Sequence, residues 1–276
     1  MTINCKGNLI DISTPKIMGI LNVTPNSFYD GGKYKSETEI LYQVEVMLNE
    51  GATFIDLGAY SSKSNADFVS EQEEVDRIIP VITLILRHFP DTIISVDTFR
   101  SEVAKKAIES GAAIINDISA GVLDDKMLET IAKYNVPYIM MHLRGTPQTM
   151  QSLNQYENIV KEMLFYFSEK VARARSYGIN DLIVDPGFGF AKNIDQNYEV
   201  LQKLELFKVL ELPILVGLSR KSMIYKLLNT NPQEALNGTT VLNTIALSKG
   251  ATILRVHDVK EAAECIALYN KTNFKL

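Results

Sequence analysis

The stretch TIISVDTFRSEVAKKAIESGAAIIND, residues 92–117, decides the fold. It opens and closes on short, continuously apolar runs, TIISVD and AAIIND. Unbroken apolar runs of this length suit strands that are covered on both faces. Between them, RSEVAKKAIESG has a helical pattern and stops on Gly111, the residue type that ends helices most readily. Strand, helix and strand in succession make one β-α-β unit, which calls for a parallel sheet.

The same alternation extends outward in both directions. The remaining apolar runs are KIMGIL, TFIDL, PYIMMH, DLIVDP, PILVGL and ATILRVH, giving eight strand candidates from near Lys16 to near His257. ETEILYQVEVMLNEG (37–51) spaces its apolar residues by three and four and closes on a glycine. SEQEEVDRIIPVITLILRHF (70–89) begins with a capping Ser70 and early acids, as a helix N-terminus prefers. Each unit takes roughly 34 residues, the repeat of a (β/α)8 TIM barrel. No Gly/Ser-rich linker or charge block divides the chain, so residues 1–276 are read as one domain. An open doubly wound sheet is the alternative fold, but regular units without a long interruption favour closure. Residues 1–14 precede the first barrel strand and hold a Lys6-Gly7-Asn8 turn, which predicts a short N-terminal β-hairpin plugging the bottom of the barrel.

Composition narrows the function. The 276 residues carry a formal charge of −5, with no basic excess to hold a nucleic-acid backbone. Cys5 and Cys265 form no C-x-x-C pair, so a zinc site is not indicated. A disulfide between them stays open, with a reduced cytoplasmic protein the simpler reading. The N-terminus lacks the apolar core of a signal peptide, and no stretch approaches the roughly 20 apolar residues of a membrane span. The expected partners are small molecules, with neither nucleic acid nor membrane.

The chemistry gathers where the apolar runs end. They finish, in order, at Asn22, Asp56, Asp97, Asn116-Asp117, His142, Asp185, Ser219-Arg220-Lys221, and Arg255 with His257. In a (β/α)8 barrel these ends converge on the face that holds active sites. Turns start at strand ends, so any one polar residue there has a bland explanation. All of them together make a mouth for a polar, partly anionic ligand, and aspartates behind SV and IV need partners.

Four segments add detail. NVTPNSFYDGG (22–32) is a long loop, with Phe28 and Tyr29 offering an aromatic wall. DPGFGFAK (185–192) puts glycines beside Asp185 for close backbone approach, and Phe188 and Phe190 suit a flat heterocycle. It is not a G-x-G-x-x-G dinucleotide motif. GLSRKS (217–222) places Ser219, Arg220, Lys221 and Ser222 at a helix start, where an anion binds readily. In RVHDV (255–259), Arg255 and His257 are two apart and share a strand face aimed at phosphate oxygens.

NVTPNSFYDGG, SVDTFR (95–100), INDISAG (115–121), MHLRGTPQTM (141–150), DPGFGFAK, GLSRKS and RVHDV together resemble the dihydropteroate synthases, in the same order and over nearly the whole chain. The resemblance implies a transferase of folate biosynthesis, the target of sulfonamides. It would join 6-hydroxymethyl-7,8-dihydropterin diphosphate to p-aminobenzoate with loss of diphosphate. It implies that Asp97, Asn116, Asp185 and Lys221 hold the pterin, with Met141, Phe190 and Arg255 against the ring. Diphosphate would meet Asn22, Ser62, Lys63, Arg255 and His257, and Asn22 would ligate Mg2+. The p-aminobenzoate would lie among Phe28, Ser62, Lys63, Phe190 and Ser222. Catalysis would rest on Asn22, Asp97, Lys221, Arg255 and His257, in a homodimer. Because an aniline is already neutral near pH 7, no strong general base is needed.

The second loop departs from the family pattern. Where relatives commonly read G-G-E-S-T-R-P-G, this chain reads GAYSSKSN (58–65). Lys63 keeps the charge of Arg but loses its planar fork. Ser64 replaces Pro, Asn65 replaces Gly, and Asn26 replaces an Asp of the first loop. Two other functions stay in view. One is a methyltetrahydrofolate–corrinoid methyltransferase barrel, which would lack the diphosphate set Asn22, Arg255 and His257. The other is a pterin-binding protein without activity, suggested only by the altered loop.

Overall fold

The computed structural model describes residues 1–23, 29–30, 33–34, 37–59 and 69–272. The chain starts with β1 (Thr2–Cys5) and β2 (Asn8–Asp11), an antiparallel pair joined through Lys6 and Gly7, both at positive φ. The first barrel strand is β3 (Lys16–Asn22). Two short antiparallel segments, β4 (Tyr29–Asp30) and β5 (Lys33–Tyr34), follow within the first long loop. Then come α1 (Glu37–Asn49), β6 (Phe54–Gly58), α2 (Glu71–His88), β7 (Ile93–Asp97), α3 (Ser101–Glu109) and β8 (Ile114–Asp117). The second half runs α4 (Met127–Tyr134), β9 (Tyr138–Met141), α5 (Ile159–Ser176), β10 (Leu182–Asp185), α6 (Ile194–Gln202) and β11 (Leu215–Val216). It ends with α7 (Ser222–Leu227), α8 (Leu236–Ser248), β12 (Ile253–Val256) and α9 (Val259–Thr272).

Eight strands lie parallel in the order β10-β9-β8-β7-β6-β3-β12-β11. A parallel bridge between Val184 and Ile214 joins the two ends, so the sheet is a (β/α)8 barrel. The open doubly wound alternative is excluded by that closure. Ser70 caps α2 as expected, accepting from the Glu73 amide at 3.2 Å. PILVGL gives the shortest barrel strand: Pro213 has no N–H to donate and only accepts, from Val184, at 3.0 Å.

The barrel strands are apolar on both faces along most of their length, but period two sorts their side chains. Ile55, Leu57, Ile94, Val96, Met140 and Val184 join the helices in the outer core. Met18, Phe54, Ile114, Ile139, Ile183, Leu215 and Ile253 pack together inside the barrel, and the hairpin residues Ile3 and Cys5 join them with Ile12. The hairpin therefore plugs the barrel bottom, as the sequence suggested. Counting two residues on from this inner layer gives Ile20, Asp56, Asn116, Met141, Asp185 and Arg255. The interior changes from apolar to polar along the barrel axis, and that change builds the mouth. Cys5 and Cys265 are both free and buried. No helix among the described residues is long and apolar enough to cross a membrane.

Candidate active site

Strand register places Asn22, Gly58, Asp97 and Asn116 side by side on four neighbouring strands. Gly58 is the gap between two of them: a Cβ there would lie 3.7 Å from Asn22 Oδ1 and 3.8 Å from the Asp97 Cβ. The centre of the mouth is Arg255. Its Nε donates to Asp56 Oδ2 at 2.6 Å and its Nη2 to Asp97 Oδ2 at 2.9 Å. Asn116 Nδ2 donates to the same Asp56 oxygen at 3.2 Å. Asp56 is fully buried, and its Oδ1 has no hydrogen-bond partner among the described residues. Burial disfavours the Arg255 charge, but Asp56 and Asp97 more than offset this and raise its pKa. Burial raises the Asp97 carboxyl to about 7, Arg255 opposing and Asp56 adding to the rise. The mouth thus carries a cation locked between carboxylates, with proton affinity held in reserve.

A second cation enters from the GLSRKS turn. Lys221 Nζ donates to the Phe188 carbonyl and sits 4.8 Å from the centre of the Phe190 ring. Burial pushes it down to about 8, with Asp185 opposing and Arg255 assisting. Asp185 is buried and raised for the same reason, with Lys221 opposing. Its Oδ1 accepts the Gly187 amide at 2.8 Å. Met141 belongs to an apolar patch with Ile118, Leu143, Met150 and Ala191, against which Phe99 and Phe190 pack. Beside Arg255, His257 Nδ1 lies 3.0 Å from Ser219 Oγ. His257 is exposed along the mouth, yet the surrounding protein removes hydration and Arg255 adds a like charge, pushing the imidazole down to about 4. Ser222 is the first residue of α7, half-buried beside Lys221.

Most residues expected at the mouth are described. Asn22, Asp97, Asn116, Met141, Asp185, Phe190, Lys221, Ser222, Arg255 and His257 all lie at the C-terminal strand ends or the turns directly after them. Phe28, Ser62 and Lys63 lie outside the described residues, as do Asn26, Ser64 and Asn65. Three strand-end residues point elsewhere. Asp117 faces the outer layer and accepts from the Tyr138 hydroxyl at 2.6 Å. His142 is buried against Lys192 and Tyr166. Arg220 is paired with Asp258 at 2.8 Å and donates to the Pro232 and Gln233 carbonyls, so it braces the turn. Asp56 is the residue that the sequence reading noted at a strand end but gave no role. Its phase shows only in the fold: it stands two residues after Phe54, which the structure turns inward.

This is a polar mouth of carboxylates, an amide and two cations at the C-terminal face of a (β/α)8 barrel, the face where such barrels carry enzyme active sites. The sequence pattern of the family described as "Pterin binding enzyme" matches residues 18–257. The dihydropteroate synthase of Escherichia coli strain K12 is 43% identical over 274 residues, covering 99% of this chain and 96% of its own. The crystal structure of the Yersinia pestis dihydropteroate synthase with a sulfonamide drug superposes with a TM-score of 0.92 at 41% identity, covering 99% of each chain. The Xanthomonas albilineans dihydropteroate synthase in complex with 7,8-dihydropteroate gives 0.89 at 31%, covering 100% of each. The chain belongs to the dihydropteroate synthases, within the pterin-binding enzymes, and is a transferase of folate biosynthesis.

Proposed function

We propose that this mouth takes 6-hydroxymethyl-7,8-dihydropterin diphosphate and p-aminobenzoate, and that the residues assembled around Arg255 carry the reaction. The observation that carries this reading is the hydrogen-bonded chain Asn116–Asp56–Arg255–Asp97 at the strand ends, with Asp185 and Lys221 near enough to Arg255 for their charges to act on one another. A pterin presents its 2-amino group and N3–H as a donor pair, which one carboxylate accepts with two parallel bonds. Asp185 suits that task, with Lys221 offsetting its charge. Asp97 and Asn116 serve the opposite ring edge, and Met141, Phe190 and Arg255 cover the faces.

The reaction breaks the bond between the pterin methylene carbon and the diphosphate oxygen. Arg255 and His257 stabilise the departing negative charge, and Asn22, Ser62 and Lys63 are assigned to the same group. The methylene cation delocalises into the ring held between Asp97 and Asp185. The p-aminobenzoate nitrogen then attacks, its position fixed by Phe28, Ser62, Lys63, Phe190 and Ser222, and its proton leaves to water or diphosphate.

Mg2+ fits this donor set. Among the described residues no group of three or more His, Cys, Asp or Glu side chains could hold a metal. Asn22, by contrast, is exposed at the mouth with its amide oxygen beside Gly58. Magnesium commonly keeps several waters and takes few protein ligands plus phosphate oxygens. Asn22 would supply the protein oxygen, and the ion would neutralise charge on the leaving diphosphate.

A homodimer is supported by the apolar side chains that α7, its C-cap Leu228 and α8 leave in solvent: Leu227, Leu228, Val241 and Ile245. A cytoplasmic setting is supported by two free, buried thiols. One domain over 1–276 is supported by the hairpin's burial in the barrel core. The deciding test is diphosphate release, with and without p-aminobenzoate, in the presence of Mg2+. Release that requires p-aminobenzoate is expected. Pterin binding with no release would make the chain a non-catalytic binder, and methyl transfer from methyltetrahydrofolate would make it a methyltransferase.

A further inference from the structure

Beneath the pterin-facing turn lies a cation that the proposed chemistry does not use. Lys192 is 4% exposed. Its Nζ lies 3.0 Å from the Gly187 carbonyl, 3.0 Å from the Phe190 carbonyl and 3.1 Å from His142 Nδ1, itself on a side chain 2% exposed. An ammonium has three donors and no acceptor, and three acceptors meet it here. Burying such a group costs heavily unless each donor is used, and a methionine would fill the same space without that cost. The turn it holds is under conformational load. Gly187, Gly189 and Ala191 take φ of +68°, +84° and +48°, and Ala191 has a Cβ to accommodate. A Cβ on Gly187 would lie 2.5 Å from the His142 carbonyl, so the turn is pressed on the end of β9.

We infer that Lys192 is a positioning residue of this mouth, clamping the turn from behind so that Asp185 and Phe190 meet the pterin in fixed places. The inference rests on the proposed roles of Asp185 and Phe190. The clamp acts at both ends of the segment that links them. The Gly187 carbonyl accepts from Lys192 while the Gly187 amide donates to Asp185 Oδ1 at 2.8 Å. At the far end the Phe190 carbonyl is held, which sets the direction of its ring beneath Lys221. Lys221 takes the Phe188 carbonyl between them, so two lysines hold neighbouring carbonyls of one turn. Three other contacts fix the frame: Asn197 Oδ1 accepts the Gly189 amide at 2.7 Å, the Tyr156 hydroxyl donates to the Ala191 carbonyl at 2.9 Å, and Tyr166 packs edge-on to His142. Burial pushes Lys192 down to about 7, with Asp185 opposing and Lys221 and Arg144 assisting. His142 is held well below its usual value by burial and by Lys192, so it stays a neutral acceptor.

The test uses the full chain with Lys192→Met, Lys192→Gln and Asp185→Asn. Binding of 6-hydroxymethyl-7,8-dihydropterin diphosphate is measured by calorimetry, and both KM values and kcat by diphosphate release. Lys192→Met should weaken pterin diphosphate binding on the order of ten- to thirty-fold, with a smaller rise in the p-aminobenzoate KM at saturating pterin, because the two sites share only Phe190. Lys192→Gln, which keeps two amide donors, should fall between it and the unaltered chain. A fall in kcat alone, with both KM values unchanged, would mean a lower folded fraction and would overturn the positioning role. So would unaltered pterin affinity in Lys192→Met alongside lost affinity in Asp185→Asn. Should Lys192→Met not fold, Lys192→Gln is judged by the same split. Unaltered affinity in Asp185→Asn is a different failure, since it removes the pocket reading itself.

Discussion

Two side chains in the mouth make separate predictions. Asp56 spends one oxygen on both Arg255 and Asn116 while fully buried. Asp56→Asn keeps the shape but removes the charge facing Arg255, and the loss in pterin diphosphate affinity should be about 1.5–3 kcal/mol. Calorimetry showing unaltered affinity would mean that Asp56 only fills space. His257 makes a prediction in pH. Its imidazole is pushed from 6.5 down to about 4, first by lost hydration and then by Arg255. Between those values the unfolded chain binds a proton that the native state does not, so this group makes stability rise with pH across the window. An arriving diphosphate reverses the local field and favours the imidazolium. Binding near pH 6 should therefore take up a proton. Heats measured in two buffers of different ionisation enthalpy should differ for the native chain and converge in His257→Gln. Identical heats for the native chain would count against the contact.

At the scale of elements, the joint between α2 and the turn after β7 is an ion pair. Arg100 donates to Glu74, which is 1% exposed, and to the Val69 carbonyl at 2.7 Å. Arg100→Leu leaves a carboxylate that burial already pushes upward, and should cost on the order of 3–5 kcal/mol in chemical denaturation. A second prediction concerns the stretch GAYSSKSN, where the sequence differs from the family pattern noted above and of which residues 60–65 lie outside the described residues. A sulfonamide extends beyond the p-aminobenzoate outline, so loop shape should penalise the drug more than the substrate. Lys63→Arg, Ser64→Pro and Asn65→Gly together should restore roughly ten- to thirty-fold in the ratio of drug inhibition constant to p-aminobenzoate KM. An unchanged ratio would make the loop neutral for the drug.

Elements were legible because burial on both faces leaves continuous apolar runs, and all eight appear as strands. Parity within each run was not legible for the same reason. When both faces are apolar, nothing in TIISVD or AAIIND says which residues look inward. Asp117 and His142 thus passed for mouth residues when each is one position out of phase, while Asp56, in phase, was left without a role. Arg220 was hidden differently: its partner Asp258 is 38 residues away and meets it only through the fold.

For the whole molecule, the exposed apolar side chains of α7 and α8 predict self-association. Gly238 allows the close approach of these helices, since a Cβ there would lie 2.3 Å from Ile224 Cγ2. Leu227→Asp with Val241→Asp should convert a dimer to monomer in sedimentation while leaving the barrel folded by circular dichroism. A monomer in the unaltered chain would remove this surface as the interface.

The ring itself closes where the ladder is thinnest, at the bridge between Val184 and Ile214. Asp185 ends the strand on one side of that seam, and Lys221 follows the strand on the other. On the proposed reading the pterin would sit between them as a rung laid across the gap. The ligand would then belong to the architecture as much as to the chemistry, fastening a ring that a single bridge closes. Amide exchange along β10 and β11 should slow on pterin binding more than along β6 and β7, which are already paired along their length.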